Sequence, residues 1–212
     1  YSLLDFIFSN GRLPNRHNSF NDEFWKIKVS DEILHPLRIM VSDKEYSKLF
    51  VKSVVGDQFN VPTIDVLRSS NELENYDFPS RCCVKPTHKS GGVTIRSHGE
   101  PLDLDSFSQW FTENWYRRRR EANYRYLTPK VIVEPLIFDQ EINLDYKFFC
   151  FNGEPRLIQV DVDRYSDHRR KFFDICWQDR HHSILFPEYG GYIEKPDNLD
   201  EMLGIARSLS SY

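Results

Sequence analysis

No apolar run in this sequence approaches the roughly 20 residues that a helix needs to span a bilayer, so we predict no transmembrane segment. The residues given also lack a basic start followed by an apolar stretch, which argues against a signal peptide. The chain opens at Tyr1 rather than at a methionine, and we therefore expect that a preceding piece is missing. Together these absences favour a soluble, cytoplasmic protein.

An excess of one charge sign is also lacking. Among 212 residues there are 28 lysines and arginines against 32 aspartates and glutamates, which gives a net charge of -4. This balance provides no overall attraction to nucleic acid, and we expect no nucleic-acid partner. A nucleotide site is still compatible with it, because such a site needs only local positive charge.

The four cysteines lack the Cys-x-x-Cys spacing of redox and zinc motifs. Cys82 and Cys83 are adjacent, and in a strand they would point to opposite faces. Cys150 and Cys176 stand alone. We expect all four to be reduced and mostly buried, which suits a cytoplasmic protein.

The central feature of the sequence is a strand that ends in Lys85 and leads into a polar loop closed by Gly91 and Gly92. Residues 93–96 then resume strand character, so the segment reads as a hairpin. A glycine pair lets backbone N–H groups approach an anion such as phosphate, and Lys85 adds a positive charge. An ordinary hairpin with a solvated lysine fits the same pattern. The segment is not a Walker loop, because no Gly-Lys-Ser/Thr opens a helix.

Other segments give clear local signals. Ser42 or Asp43 can cap a helix that ends before Gly56, and Asn152-Gly153 between apolar runs is a strong hairpin signal. Periodicity predicts further helices over 105–120 and 199–209, and strands over 61–67, 130–137, 144–151, 156–162 and 172–177.

The order of these pieces resembles the ATP-grasp superfamily. A Ser-Asp-Lys helix start comes first, then Val84-Lys85-Pro86 with its glycine-rich loop, then a strand ending in Glu134 with Glu141 seven residues on. The strings at 50–56, 84–92, 145–153 and 158–164 look like the TupA-like ATP-grasp family, which is linked to teichuronopeptide and other cell-surface polysaccharide synthesis. The resemblance runs from about Leu3 to Leu209.

The resemblance implies an α+β, ATP-grasp-like fold in which two lobes with mostly antiparallel sheets sandwich a nucleotide cleft. We expect an N-terminal segment over 1–41, a lobe carrying the glycine-rich phosphate loop over 42–130, and a second, incomplete lobe over 131–212.

The resemblance also implies ATP and Mg²⁺ as cofactors. Lys44 and Lys85 would contact the phosphates, and Ser90, Gly91 and Gly92 would form a flexible cover over them. Two cations suit a triphosphate.

On the base and sugar side, the resemblance places Glu134 at the hinge beside the adenine, with the backbone of Leu136 and Ile137. Glu141 would reach the ribose hydroxyls, for which a carboxylate is a good acceptor. Taken alone, Glu134 and Glu141 also fit surface acids at a strand end.

The metal ligands are unknown from the sequence. ATP-grasp enzymes usually hold Mg²⁺ with an acidic residue on one strand and a Glu with Asn or a similar ligand on the next, near the C-terminal end of the fold. The chain stops before any segment that could supply them, so we expect that the C-terminal part is truncated, or else that the protein binds nucleotide without catalysis. Asp161 and Asp163 alternate on a strand, and they fit either ligands or exposed strand acids.

In the superfamily, ATP phosphorylates a carboxyl group and an amine attacks the acyl phosphate. Arg169, Arg170 and Lys171 stand just before a predicted strand, and we interpret Arg170 and Lys171 as candidate catalytic residues that contact phosphate or a substrate carboxylate. Solvated loop charge is the alternative for each.

Two further clusters carry competing interpretations. Arg117–Arg120 lies among aromatic residues, which fits nucleic-acid binding, a solvated helix end, or a grip on an acidic glycan or nucleotide. His181-His182, taken with Cys176 and His168, has poor zinc-ligand spacing, and we predict no zinc site there.

The sequence therefore predicts an ATP-dependent carboxylate–amine ligase that attaches an amino acid or peptide to a cell-surface polysaccharide or its precursor. Its partners would be carboxylate and amine substrates, linked to a glycan. An ATP-grasp-like kinase, a glycosyltransferase of polysaccharide synthesis and a non-catalytic nucleotide- or glycan-binding module are the alternatives. Fold analogy fixes nucleotide use better than it fixes the substrate.

Overall fold

The computed structural model describes residues 3–15, 19–137, 144–164, 166–181 and 184–212. These residues form an α+β fold with two antiparallel sheets, as predicted. They divide into two compact units. Unit 1 comprises Tyr1–Lys52 and Asp57–Leu136, and unit 2 comprises Ser53–Gly56 and Ile137–Tyr212. None of the helices in the described residues is both long and apolar enough to cross a membrane.

The helices of unit 1 are short, and several begin at a capping side chain. Asp43 caps the fourth helix as predicted, because its Oδ1 accepts the backbone N–H groups of Glu45 and Tyr46. The helices are α1 (Leu3–Asn10), α2 (Phe20–Val29), α3 (Pro36–Ser42), α4 (Lys44–Val54), α5 (Ser70–Glu74), α6 (Leu104–Trp110) and α7 (Trp115–Arg119), with 3-10 turns at Asp31–Leu34, Asp57–Phe59 and Ala122–Tyr124. The last two residues of α4 belong to unit 2.

The sheet of unit 1 consists of β1 (Asp65–Leu67), β2 (Cys82–Pro86), β3 (Thr94–Arg96) and β4 (Val131–Pro135). Their order is β1-β4-β2-β3, and each neighbouring pair is antiparallel. The predicted hairpin is confirmed by the pairing of β2 with β3. One face of the sheet packs into the core, which is formed by Leu67, Leu73, Phe78, Cys82, Val84, Phe107, Trp110, Val131 and Val133.

The alternation of side chains in these strands positions the polar groups. Cys82 and Val84 enter the core, so Cys83 and Lys85 point to the opposite face of β2. On β4 the residue opposite Cys83 is Glu134, which therefore lies on that same face as Lys85. A lysine and a glutamate are thus brought to one side of the sheet by strand register alone.

The prediction of one continuous helix over 105–120 is wrong. The segment forms two helices, α6 and α7, because the side chain of Asn114 accepts the N–H of Arg117 and starts a new helix. Arg120 closes α7 in a left-handed conformation, with φ 58°.

Unit 2 contains a three-stranded antiparallel sheet, β5 (Leu144–Phe151), β6 (Glu154–Val162) and β7 (Arg169–Phe173), in the order β5-β6-β7. The predicted Asn-Gly hairpin is confirmed, since Asn152 and Gly153 adopt φ 50° and 80° between β5 and β6. The helix α8 (Leu199–Ser210) is also confirmed. The core of this unit is formed by Ile158, Val160, Val162, Phe173, Ile193 and Leu199.

The predicted strand over 172–177 is shifted. The observed strand β7 starts at Arg169, so the three basic residues there lie within a strand and not before it. It ends early because the carboxylate of Asp174 accepts the N–H groups of Cys176 and Gln178, and Trp177 then takes a φ of 64°.

All four cysteines are free, as predicted. Cys82 and Cys83 are buried, whereas Cys150 is half-buried and Cys176 is exposed. The prediction of burial therefore holds for the vicinal pair and is wrong for Cys176.

Candidate functional site

Lys85 stands near the end of β2 and pairs with Glu134 of β4, with its Nζ 2.5 Å from Oε2. Glu134 is buried and also pairs with Lys48 of α4. Burial on its own would raise the pKa of Glu134, but the hydrogen bonds from Lys48 and Lys85 outweigh it and hold the pKa below its ordinary value. The structure therefore gives Glu134 two lysine partners, of which Lys48 was missed by sequence reasoning.

Lys44, the first residue of α4, reaches over the loop that follows β2. Its Nζ donates to the carbonyl oxygens of Pro86 and Lys89, each at 2.7 Å, and its backbone N–H donates to Thr87 at 3.2 Å. Burial, followed by the nearby charge of Lys85, lowers the pKa of Lys44 to about 8. The two lysines that the sequence singled out are therefore neighbours within unit 1.

Lys89 is a fourth cation at this site, and sequence reasoning missed it. It is buried, pairs with Glu113, and lies with its Nζ 5.6 Å from the ring centroid of Trp110. Of the four ammonium groups, those of Lys48, Lys85 and Lys89 pair with the carboxylates of Glu134 and Glu113, whereas that of Lys44 donates to carbonyl oxygens. The site has a local surplus of positive charge in a chain whose net charge is negative.

The loop after β2 has a fixed first half and an exposed second half. Thr87, His88 and Lys89 are buried, and the N–H of Thr87 donates to Lys130 at 2.9 Å. Ser90, Gly91 and Gly92 are all exposed. Gly91 and Gly92 adopt φ 77° and 73°, which favours glycine at both positions.

His88, inside the fixed half of the loop, is 3% exposed, and neither ring nitrogen has a hydrogen-bond partner among the described residues. Burial, together with the positive charges of Lys89 and Lys44, lowers the pKa of His88. The imidazole is therefore held neutral near pH 7, and it adds no charge to the lysine cluster.

A buried ion pair ties this loop to the start of α4. Lys130 and Asp43 are both almost completely buried, with the lysine Nζ 3.2 Å from Oδ2. Asp43 also accepts the hydroxyl of Thr87 at 3.0 Å, and Lys130 makes a second ion pair with Glu45. Sequence reasoning found Asp43 only as a helix cap and missed Lys130, because the two residues are far apart in sequence.

The residues predicted to hold the adenine and ribose follow β4. Leu136 is half-buried and Ile137 is exposed. Glu141 lies outside the residues that the structure describes. The roles of these three residues stay predictions.

In unit 2, the candidate catalytic residue Arg170 is buried and pairs with Asp161. Its Nε and Nη2 donate to the two carboxylate oxygens at 2.6 and 3.3 Å, and its Nη1 donates to the carbonyl of Ile184 at 2.9 Å. Lys171 pairs with Asp179 at 2.9 Å and donates to Gly191 at 3.0 Å. Both side chains thus have structural partners within unit 2, and their catalytic role stays a prediction.

The interpretation of Asp161 as an exposed strand acid is wrong, because its side chain is 1% exposed. It pairs with Lys147 and Arg170 and lies 3.3 Å from the Nε2 of His168. Burial would raise the pKa of Asp161, but the hydrogen bonds from Arg170 and Lys147 outweigh it and hold the pKa well below its usual range. A carboxylate with so many cationic partners is poorly suited to bind Mg²⁺.

Among the described residues, Asp179, His181 and Glu188 form one group whose ligand atoms lie within 4.8 Å of one another. Asp179 is already paired with Lys171, and His181 is 78% exposed. His168, which the sequence analysis considered together with the histidine pair, stacks on Phe186, with ring centroids 3.7 Å apart. His182 lies outside the residues that the structure describes, so the absence of a zinc site at the histidine pair stays a prediction.

Comparison with known proteins gives one result. The sequence model of a protein family described as TupA-like ATPgrasp matches residues 25–212, which is most of the chain. No curated protein and no solved structure matches it.

Proposed function

This chain belongs to the TupA-like ATP-grasp family, and from that premise we propose that unit 1 binds the phosphates of ATP through Lys44 and Lys85. The exposed Ser90, Gly91 and Gly92 would cover the phosphates with backbone N–H groups. Glu134 would hold Lys85 and Lys48 in position, at the strand end where we propose that the adenine lies near Leu136 and Ile137.

The observation that carries this proposal is the surplus of cations at the loop. Three lysine ammonium groups share two carboxylates, and a fourth, that of Lys44, donates to carbonyl oxygens instead. Burial together with the charge of Lys85 lowers the pKa of Lys44 to about 8. Such a cluster is unfavourable by itself and becomes favourable when an anion enters. A triphosphate supplies that anion, so the donor set fits ATP.

Magnesium fits the described residues less well. The nearby carboxylates all have lysine partners: Glu134 pairs with Lys48 and Lys85, Glu113 pairs with Lys89, and Asp43 pairs with Lys130. We keep Mg²⁺ in the proposal as the family's cofactor, assign it no ligand, and derive no step through it.

The reaction that we propose is carboxylate activation followed by amide formation. A carboxylate oxygen of the substrate attacks the γ-phosphorus of ATP, the bond from that phosphorus to the β–γ bridging oxygen breaks, and ADP leaves. An amine nitrogen then attacks the acyl carbon, the C–O bond to the phosphate breaks, and the nitrogen loses a proton. Catalysis of phosphoryl transfer rests on positioning and charge neutralisation, which are the contributions that Lys44 and Lys85 can make.

We propose that the acceptor is a cell-surface polysaccharide or its precursor, to which the enzyme attaches an amino acid or peptide. Arg170 and Lys171 of unit 2 are the candidate contacts for phosphate or substrate carboxylate, and Glu141 is the candidate contact for the ribose. The family resemblance supports these assignments.

The test is ADP release by the purified protein given ATP, a carboxylate and an amine. Lys85→Ala should weaken ATP binding by about tenfold or more, because a charge-assisted hydrogen bond contributes about 1.5–3 kcal/mol. The matched control is Lys52→Ala, since Lys52 of the same unit forms an exposed ion pair with Asp57. Equal ATP binding and turnover in both variants would refute the assignment of Lys85.

The same assay separates the alternative functions. A product that forms only when an amine is present identifies a ligase, whereas phosphate transfer to a hydroxyl without an amine identifies a kinase. Consumption of a sugar nucleotide would indicate a glycosyltransferase. ATP binding without ADP release under any of these conditions would identify a non-catalytic nucleotide-binding module.

A further inference from the structure

The ammonium group of Lys89 lies beside the exposed glycine turn of the loop after β2. A Cβ placed on Gly92 would lie 3.3 Å from the Cε of Lys89, so the end of this side chain folds back over Gly92. The charge of Lys89 also acts on Lys44, whose pKa is lowered first by burial, then by Lys85 and to a smaller extent by Lys89. Lys89 therefore places a further ammonium group where we propose that the phosphates bind.

This ammonium group is paired with the carboxylate of Glu113. The lysine side chain is 7% exposed, whereas the glutamate side chain is 33% exposed. Glu113 lies in the short link between α6 and α7, outside any helix or strand. Because the carboxylate is the more exposed partner, its departure would open the ammonium group to solvent.

Glu134, the other carboxylate that pairs with lysines at this site, is held differently. Its side chain is 5% exposed, it stands on the inner strand β4, and it pairs with both Lys48 and Lys85. Separating it from these lysines would leave a buried charge without partners, which is strongly unfavourable. Water can reach Glu113, so Glu113 can leave its lysine at a lower cost. Of the two carboxylates, Glu113 is the one that an incoming anion can replace.

The replacement requires rotation of one side chain and no movement of the backbone. The N–H of Glu113 donates to the carbonyl oxygens of Gln109 and Trp110 at 3.2 and 3.4 Å, which fixes its backbone to the end of α6. A guanidinium nitrogen of Arg118 lies 3.9 Å from its Oε1, so the released carboxylate has a cation beside it. The Nζ of Lys89 also lies 5.6 Å from the ring centroid of Trp110, a contact that does not depend on Glu113.

We propose that Glu113 is an internal competitor of the nucleotide: its carboxylate holds Lys89 in the free protein and is displaced by a phosphate group of ATP, which then pairs with Lys89. This inference rests on the proposed binding of ATP at this loop, and it adds Lys89 as a phosphate contact. A phosphate group carries more negative charge than a carboxylate and offers three acceptor oxygens, so it can take the place of Glu113. The free protein thereby avoids an unpaired ammonium group, at the expense of affinity for ATP.

A purely structural ion pair would have the opposite effect on ATP binding. If the contact only anchored the loop, its loss would loosen the loop and weaken the binding of ATP. A competitor opposes ATP binding, so its loss strengthens binding even though the fold has lost an ion pair. The sign of the change in affinity therefore separates the two roles.

The test measures the dissociation constant of ATP by titration calorimetry for the wild type and for Glu113→Gln. We expect Glu113→Gln to bind ATP about fivefold more tightly, on the scale of a partly exposed ion pair, and to melt at a lower temperature. Adenosine, which has no phosphate, should bind equally to both proteins. Lys89→Met should weaken ATP binding. In that background Glu113→Gln should change the affinity by at most about twofold, because what remains is a long-range effect that salt screens.

The matched control is Glu121→Gln, which removes a negative charge from the same segment. Glu121 accepts the indole N–H of Trp115 at 2.6 Å and pairs with Lys28 at 3.5 Å, so its partners are on α7 and α2. This variant should change the affinity for ATP by at most about twofold. Should Glu113→Gln fail to fold, Glu113→Asp keeps the charge but shortens its reach to Lys89, and it should still bind ATP more tightly than the wild type.

Weaker or unchanged ATP binding by Glu113→Gln, when the wild type binds ATP, would overturn the inference and leave the proposed function intact. An equal gain in Glu121→Gln, or an undiminished gain in the Lys89→Met background, would also overturn it. Absence of ATP binding in the wild type and in every variant would overturn the proposed function and this inference together. ATP binding that appears only in Glu113→Gln would support the inference, since the competitor would then mask the site in the wild type.

Discussion

The ammonium group of Lys44 donates to the backbone carbonyl of Lys89 at 2.7 Å, which ties the start of α4 to the middle of the loop after β2. The lysine is therefore buried against carbonyl groups and near other lysines, and its pKa falls to about 8 from an ordinary value of 10.5. Lys44 is thus both a structural contact of the loop and a group that titrates close to physiological pH.

The first prediction concerns stability against pH. Between pH 8 and 10.5 the folded protein has lost the Lys44 proton while the unfolded chain still holds it, so the unfolding free energy contributed by this group rises with pH. Urea denaturation should show that the unfolding free energy of the wild type increases from pH 7.5 to 9.5 relative to that of Lys44→Met, because methionine has no proton to lose. Parallel pH dependence of the two proteins would contradict this.

A second prediction concerns the proton balance of nucleotide binding. A phosphate near Lys44 would favour the charged ammonium and raise its pKa, so ATP binding near pH 8.5 should take up a proton. Calorimetry in two buffers of different ionisation enthalpy measures this uptake directly. Lys44→Arg keeps the charge but does not titrate in this range, and it should show a smaller uptake.

Removal of the Asp43 carboxylate should destabilise unit 1. Asp43→Ala leaves the buried Lys130 without one of its two carboxylate partners and removes the acceptor of the Thr87 hydroxyl. A loss of about 3 kcal/mol in unfolding free energy is expected from such a broken buried pair. Asp57→Ala breaks the exposed pair with Lys52 and should leave the denaturation curve unchanged. A small effect of Asp43→Ala would show that the pair does not anchor the loop.

Gly91 and Gly92 should respond differently to alanine. Both adopt positive φ, which costs about 1 kcal/mol for a residue with a Cβ. A Cβ on Gly91 meets nothing within 4 Å, whereas one on Gly92 would lie 3.1 Å from the Cγ of Pro86 and 3.3 Å from the Cε of Lys89. Gly92→Ala should therefore lower the melting temperature more than Gly91→Ala. Equal shifts would mean that backbone strain, and not the contact with Pro86, sets the cost.

In unit 2, Asp161→Asn should make the unfolding free energy depend less on pH in the acid range. The cations around Asp161 hold its pKa low, so it contributes stability above the unfolded pKa of about 3.8, which is lost as pH falls below that value. Asp161→Asn should be less stable than the wild type at pH 7. The difference in unfolding free energy between the two proteins should become smaller between pH 4 and 2. A constant difference across that range would show that Asp161 acts through shape and not charge.

Much of the local structure was predictable. Asn152-Gly153 fixed a hairpin because both residues accept positive φ, and Asp43 marked a helix start because a carboxylate can accept the first free N–H groups. The predictions failed where a side chain formed hydrogen bonds with the backbone and interrupted a regular helix or strand. Asn114 restarted the helix that was predicted over 105–120, and Asp174 ended a strand that looked apolar to Trp177.

The sequence by itself determined the family of this chain, its two antiparallel hairpins, and the lysine and glycines of the loop. These are properties of neighbouring residues, since strand alternation and turn chemistry act over a few positions. Only the tertiary structure decided the partners of the charged groups. Lys130 pairs with Asp43, which is 87 positions away in the sequence, and Glu134 pairs with Lys85, which is 49 positions away. Electrostatic interaction depends on distance in space and on burial, and neither can be read from separation along the chain.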